Sequence, residues 1–163
     1  MASNNKSLSD FSHIAVASAT PYRFGIVASQ WNAEVTGSLL KGAYEVLKKH
    51  GTLGENIRIV HVPGSYELTS GADILLRDGT LDAVICLGCV IQGETKHFDY
   101  ICSAVAHGIT NLALKHNIPV IFGVLTTDNL QQALDRAGGK HGNKGEEAAV
   151  TAIQMATLNA TMR

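Results

Sequence analysis

The stretch DAVICLGCVIQGETKHFDYICSAV, residues 82–105, changes character twice. Its opening DAVICLGCVI (82–91) is almost unbroken apolar and rich in branched side chains, the pattern of a strand buried on both faces. QGETK (92–96) is polar and carries a glycine, as a turn does. From His97 onward apolar residues return at helical spacing, at Ile101, Val105, Ile109 and Leu112, which predicts a helix over 97–115. The same alternation runs outward in both directions. FGIVAS (24–29), IRIVHV (57–62) and IPVIFGVL (118–125) read as further strands, and 33–50, 65–77, 128–137 and 144–161 as further helices. The first of these helices carries the stripe Val35, Leu39, Leu40, Ala43, Val46, Leu47. Short β and α segments in alternation predict an α/β fold, a central parallel four-stranded sheet with helices on both faces. No linker or repeat divides the chain, so residues 21–163 are expected to form a single domain. Residues 1–20 read as an N-terminal arm, whose HIAVASA (13–19) is expected to make a short strand on a neighbouring subunit.

Composition narrows the function. Thirteen Lys and Arg against 14 Asp and Glu give a net charge of -1, without the basic face that nucleic-acid binding needs. No apolar run approaches the ~18 residues of a membrane span, and MASNNKSLSDFSH lacks the shape of a secretory signal. Three cysteines, an odd number, point to a reducing compartment, so a cytoplasmic location is expected.

In parallel sheets ligands bind beyond the carboxyl ends of the strands. Ser29-Gln30-Trp31-Asn32, Pro63-Gly64-Ser65-Tyr66-Glu67, Gln92 to His97 and Thr126-Thr127-Asp128 all fall there. This gathering of polar, aromatic and glycine residues suggests an enzyme or a binding protein. Gly93-Glu94-Thr95 opens a helix, where backbone amides attract phosphate; the plainer alternative is an ordinary turn capped by Thr95. His97 follows in the first helical turn, where the positive end of the helix dipole favours the neutral, proton-accepting ring. Trp31 is either core or a stacking platform for a planar heterocycle, with Asn32 able to cap the following helix. Cys86 and Cys89 form a C-x-x-C, but within a strand residues three apart face opposite ways, against zinc or redox use. GGKHGNKG (138–145) does not fit a nucleotide loop and reads as a helix end and turn.

Five segments together, GIVASQWN, VPGSYELT, GCVIQGETKHFDYIC, IPVIFGVLTT and RAGGKHGNKGEEAA, resemble the lumazine synthase family of riboflavin biosynthesis. They occur in order over about residues 24–160. The resemblance implies a flavodoxin-like three-layer αβα sandwich and two small-molecule substrates, 5-amino-6-(D-ribitylamino)uracil and 3,4-dihydroxy-2-butanone 4-phosphate. It implies that Trp31 stacks on the pyrimidine and that Ser65, Tyr66 and Glu67 line its site, Glu67 towards the ribityl hydroxyls. Cys89, Val90 and Ile91 contact it through backbone and apolar surface. Glu94 and Thr95 amides, with Arg136, hold the phosphate; Lys144 supports them, and His97 transfers protons. Phe122 is implied to enter the pocket of the adjacent subunit. Every step is addition, elimination or proton transfer, so no metal and no redox cofactor are expected.

Trp31 stands where many members carry Phe, Cys89 where Thr is common, and Lys96 where a small or neutral residue is usual. The resemblance also implies a homopentamer, with riboflavin synthase as a candidate protein partner. The compact turn at 136–145 is of the kind associated with pentamers that assemble further into an icosahedral capsid. Two alternatives stay open on sequence: an archaeal-type riboflavin synthase, and a non-catalytic flavin-binding module. GETKH and Arg136 favour a phosphate-bearing second substrate over both.

Overall fold

The computed structural model describes residues 9–11 and 13–162. Four parallel strands stand in the order β2-β1-β3-β4: β1 (Phe24–Ser29), β2 (Ile57–Val62), β3 (Ala83–Ile91) and β4 (Val120–Thr127). They alternate with α1 (Ala33–Lys49), α2 (Leu68–Leu76) and α3 (His97–His116), and the chain finishes with α4 (Leu130–Asp135), a small antiparallel hairpin of β5 (Ala137–Gly139) and β6 (Gly142–Asn143), and α5 (Lys144–Thr161). The parallel sheet covered on both faces is the one expected from the alternation, and the whole is the flavodoxin-like three-layer arrangement that the resemblance implies.

The pleat sorts side chains into two cores. Phe24, Ile26, Ala28, Ile85, Leu87, Cys89 and Leu125 pack with α1, α4 and α5. Val27, Val84, Cys86, Val120 and Val124 pack with α2 and α3. Each large side chain so buried stabilises the fold by about 1.5–3 kcal/mol. Helix α5 approaches α1 closely because its inner face is Ala148, Ala149, Ala152 and Ala156. A Cβ at Gly145 would strike the Leu39 carbonyl, which is backbone and cannot yield.

Three elements differ from expectation by two residues or more. The helix expected from residue 65 starts as a 3₁₀ turn, Ser65–Glu67, because the Glu67 carboxylate folds back to accept the Gly64 N–H at 3.0 Å. The fourth strand is shifted by two residues, 120–127 in place of 118–125. The helix expected over 128–137 shrinks to six residues. Asn129 caps its start by accepting the Gln132 N–H, and Gly138, at φ 102°, turns the chain into the β5–β6 hairpin.

Residues 13–19 form no strand within the chain. The described part of the arm is bonded to its own chain: Ala19 donates its N–H to His50 O, just past α1, at 2.8 Å, and Ser9 Oγ donates to Asn143 O, just before α5, at 3.1 Å. Residues 1–8 and 12 of the expected arm lie outside the described residues. Among the described residues no helix is long and apolar enough to cross a membrane.

Candidate functional site

The connection after β1 runs to β2 on one side and the connection after β3 runs to β4 on the other, so a crevice opens between the carboxyl ends of β1 and β3. After β1 the backbone clings to the end of β2: Gln30 N–H donates to Val62 O at 2.8 Å and Trp31 N–H to Pro63 O at 3.0 Å. This holds the indole of Trp31 against Gly64, where a Cβ would meet ring carbons at 2.7 and 2.8 Å, so the flat contact requires a glycine. The ring stays 68% exposed, so Trp31 is not a core residue.

Asn32 does not cap α1 as expected. It takes a left-handed conformation, φ 59° and ψ 47°, with no side-chain cap bond. Its Nδ2 instead donates to the carbonyl of Cys89 at 3.1 Å. Ser65 Oγ donates to the same carbonyl at 3.4 Å. Asn32, next to Trp31, and Ser65 thereby share one backbone oxygen, that of Cys89. Tyr66 is exposed beside them, Glu67 is held to Gly64, and Val90 and Ile91 are half-buried at the strand end.

Both thiols of the C-x-x-C are in the cores on opposite faces of the sheet. Burial pushes the Cys89 thiol up to about 11 and Cys86 up to about 12. They stay protonated at neutral pH, so Cys89 offers the crevice its carbonyl and not its sulfur. Among the described residues no cluster of His, Cys, Asp or Glu has the makings of a metal site.

Beyond β3, Gln92 N–H pairs with Thr127 O at 2.8 Å, and the chain then leaves the sheet. Residues 93–97 are all exposed. Thr95 is not the N-cap expected as the plainer alternative: its Oγ1 accepts the His97 N–H at 3.4 Å, but the cap position of α3 falls on Lys96, which makes no side-chain cap bond. The exposed turn thus leads into a helix start, with His97 in the first turn.

Phe122, Arg136 and Lys144 are not brought to that turn. Phe122 lies midway along the edge strand β4, beside Cys86, and is 36% exposed. Arg136, at the end of α4, donates Nη1 to His141 O at 2.7 Å, and its Nη2 meets Glu147 Oε1 at 2.7 Å. Lys144 Nζ meets the other oxygen of Glu147 at 3.3 Å. Glu147 escaped the sequence reading, although its place three residues after Lys144, one helical turn, was a usable signal. Asn32 was noticed and given the wrong task.

A cavity of about 500 Å³ exists elsewhere, between residues 9–11, Ile14 and Val16 on one side and α1 and α5 on the other. It contains none of these residues. The crevice at the strand ends is an open edge in the single chain.

A family model described as 6,7-dimethyl-8-ribityllumazine synthase matches residues 21–160. The chain is 58% identical over 155 residues to the 6,7-dimethyl-8-ribityllumazine synthase of Cytophaga hutchinsonii, covering 95% of this chain and 97% of that one. It is 53% identical over 160 residues to the protein of the same name from Parabacteroides distasonis, covering 98% and 100%. With the one from Phocaeicola vulgatus it shares 51% over 155 residues, 95% and 92% of the two chains.

Proposed function

Since the chain belongs to the 6,7-dimethyl-8-ribityllumazine synthase family, we infer that it condenses 5-amino-6-(D-ribitylamino)uracil with 3,4-dihydroxy-2-butanone 4-phosphate, releasing phosphate and water. The observation that carries the reading is the exposed Trp31 ring seated on Gly64 and tied to Cys89 through Asn32. A planar pyrimidine stacks on that ring, with its edge along the backbone of Cys89, Val90 and Ile91. Ser65, Tyr66 and Glu67 line the other wall, Glu67 towards the ribityl chain.

The butanone phosphate sits at the turn, its phosphate on the Glu94 and Thr95 amides, with Arg136 and Lys144 as cations. The 5-amino group attacks the ketone carbonyl and water leaves to give an imine. Loss of a proton and of phosphate follows, then ring closure by the ribitylamino nitrogen and a second dehydration. His97 carries protons in these steps. Such a group adds roughly 10²–10⁴-fold, on top of the gain from holding two reactants together.

Arg136 and Lys144 are engaged with Glu147, and Phe122 faces outward from an edge strand. These facts support a site completed by a neighbouring subunit, in a homopentamer. Helix α3 supports it too: it buries Val105, Ile109 and Leu112 but leaves Tyr100 and Leu114 over 70% exposed. Segment 13–19, which forms no strand within the chain, would pair with the neighbour in that assembly, and the short hairpin at 137–143 leaves room for pentamers to assemble into a capsid. Three unpaired thiols support a cytoplasmic enzyme, and riboflavin synthase, consuming the product, is the candidate partner.

Mixing the protein with both substrates should give lumazine fluorescence; its absence sinks the reading. Light scattering tests the assembly. A mass of five chains removes the capsid, and an active monomer removes the shared site.

A further inference from the structure

We propose that Asn32 is a positioning residue: its side-chain amide replaces the missing next rung between β1 and β3 and so sets the Trp31 ring against the Cys89 edge. The inference rests on the reading of this crevice as the pyrimidine site. The β1–β3 register runs from Phe24↔Ala83 to Ala28↔Leu87 and stops there. Cys89 lies two residues further along β3 and is 4% exposed, so its carbonyl needs a partner from the protein. Nδ2 of Asn32 supplies it at 3.1 Å, and Ser65 Oγ approaches the same oxygen more distantly at 3.4 Å.

The backbone of Asn32 is shaped for this contact. A left-handed φ of 59° at a residue other than glycine is disfavoured, and asparagine and aspartate tolerate it best among side chains that carry a polar atom. The conformation is not used for capping, since no helical N–H reaches the side chain. Its carbonyl, meanwhile, accepts the N–H groups of Val35 at 2.9 Å and Thr36 at 3.0 Å, so the residue also begins α1. Trp31 precedes this fixed point directly, and its own N–H is fixed to Pro63 O. The ring is therefore held from both sides of its peptide unit. Three loops that the sequence places far apart, after β1, after β2 and at the end of β3, are registered to one another through the Cys89 oxygen.

Two variants test this. Asn32→Gly keeps the left-handed backbone and removes the amide. Asn32→Asp keeps the shape and removes the donor. In both, the KM for the ribitylaminouracil should rise by about five- to tenfold, the scale of one lost hydrogen bond. The KM for the butanone phosphate and the pH profile of kcat should stay as in the wild type. Trp31 is the only tryptophan, so the emission of the free protein should shift in both variants as the ring loses its seat. A folded variant with wild-type KM for the uracil overturns the proposal, and so does an equal rise in both KM values. A wild-type protein that makes no lumazine overturns the site reading and this inference with it, whereas failure of this inference alone appears as variants that match an active wild type.

Discussion

On the β1–β2–β3 side of the crevice, the residues proposed to meet the pyrimidine are tied into one network: Trp31 to Pro63, Asn32 and Ser65 to the Cys89 carbonyl, Glu67 to Gly64. On the β4–α4–α5 side, Arg136 and Lys144 are bonded to Glu147, and Phe122 points outward from an edge strand. The first group is preorganised within one chain. The second group is held in place by its own counter-ion, away from the 93–97 turn. On the proposed reading, a single chain would build the platform for one reactant and keep its cations for an interface with a neighbouring subunit. Glu147 serves this second role well: an arginine and a lysine left unpaired and half-buried would be costly, and the shared carboxylate fixes where both point.

His97 stands between the two sides, at an exposed helix start, and its removal should have the largest effect. His97→Ala should slow turnover by roughly 10²-fold while leaving assembly and melting temperature unchanged, since general acid–base catalysis contributes on that scale. Steady-state kinetics with light scattering checks it. A variant with near-normal turnover would return His97 to the solvated histidines.

Next comes the counter-ion side. Arg136→Ala should raise the KM for the butanone phosphate by about tenfold or more, as expected for loss of a charge-assisted hydrogen bond of about 1.5–3 kcal/mol. The uracil KM should hardly move. Equal weakening of both substrates would show that the two sides are not separate, and that Arg136 acts by holding α5 through Glu147.

What was legible in the sequence follows the same division. Strand and helix order, the two-faced burial of β3 and the platform role open to Trp31 came from local pattern, because buried parallel strands and helical stripes write themselves as periodicity. The opposed faces of Cys86 and Cys89 followed from the two-residue repeat of a strand, and the cores confirm them. Asn32 was misread because a cap and a long-range clasp use the same residue type before a helix. Only its left-handed backbone and the Cys89 oxygen, 57 residues away in sequence, separate the two. The start of α2 shifted for a similar reason, a carboxylate folding back on its own turn. The pairing of Arg136 with Glu147 bridges α4 and α5 across a hairpin whose geometry depends on positive φ at Gly138 and Gly142. Periodicity carries no trace of that.

The platform itself can be read optically. Adding the ribitylaminouracil should quench the emission of Trp31, because stacking brings a heterocycle onto the one exposed indole. Inorganic phosphate alone should leave the emission unchanged, since phosphate belongs to the other side. Quenching by phosphate would merge the two sides, and no quenching at saturating uracil would remove the platform.

The smallest effect is expected at Cys89, where the two sides of one residue can be separated. Its carbonyl belongs to the crevice and its thiol to the α1–α5 core. Cys89→Ala should therefore leave the KM for the uracil near wild type and cost about 1 kcal/mol of stability, the scale of one deleted buried group. The pH dependence has a definite sign. Burial raises the thiol from 9.0 to about 11, so the folded protein keeps this proton over a range in which the unfolded chain releases it. The resulting stabilisation is fully present below pH 9 and is lost as pH rises towards 11. The alanine variant lacks that loss, so the stability gap between the two proteins should narrow through this window and be constant below it. Denaturant titrations at a series of pH values measure the gap. A gap that widens above pH 9 would mean that the thiol ionises more readily in the folded chain, and a rise in the uracil KM would place the sulfur, not the carbonyl, at the substrate.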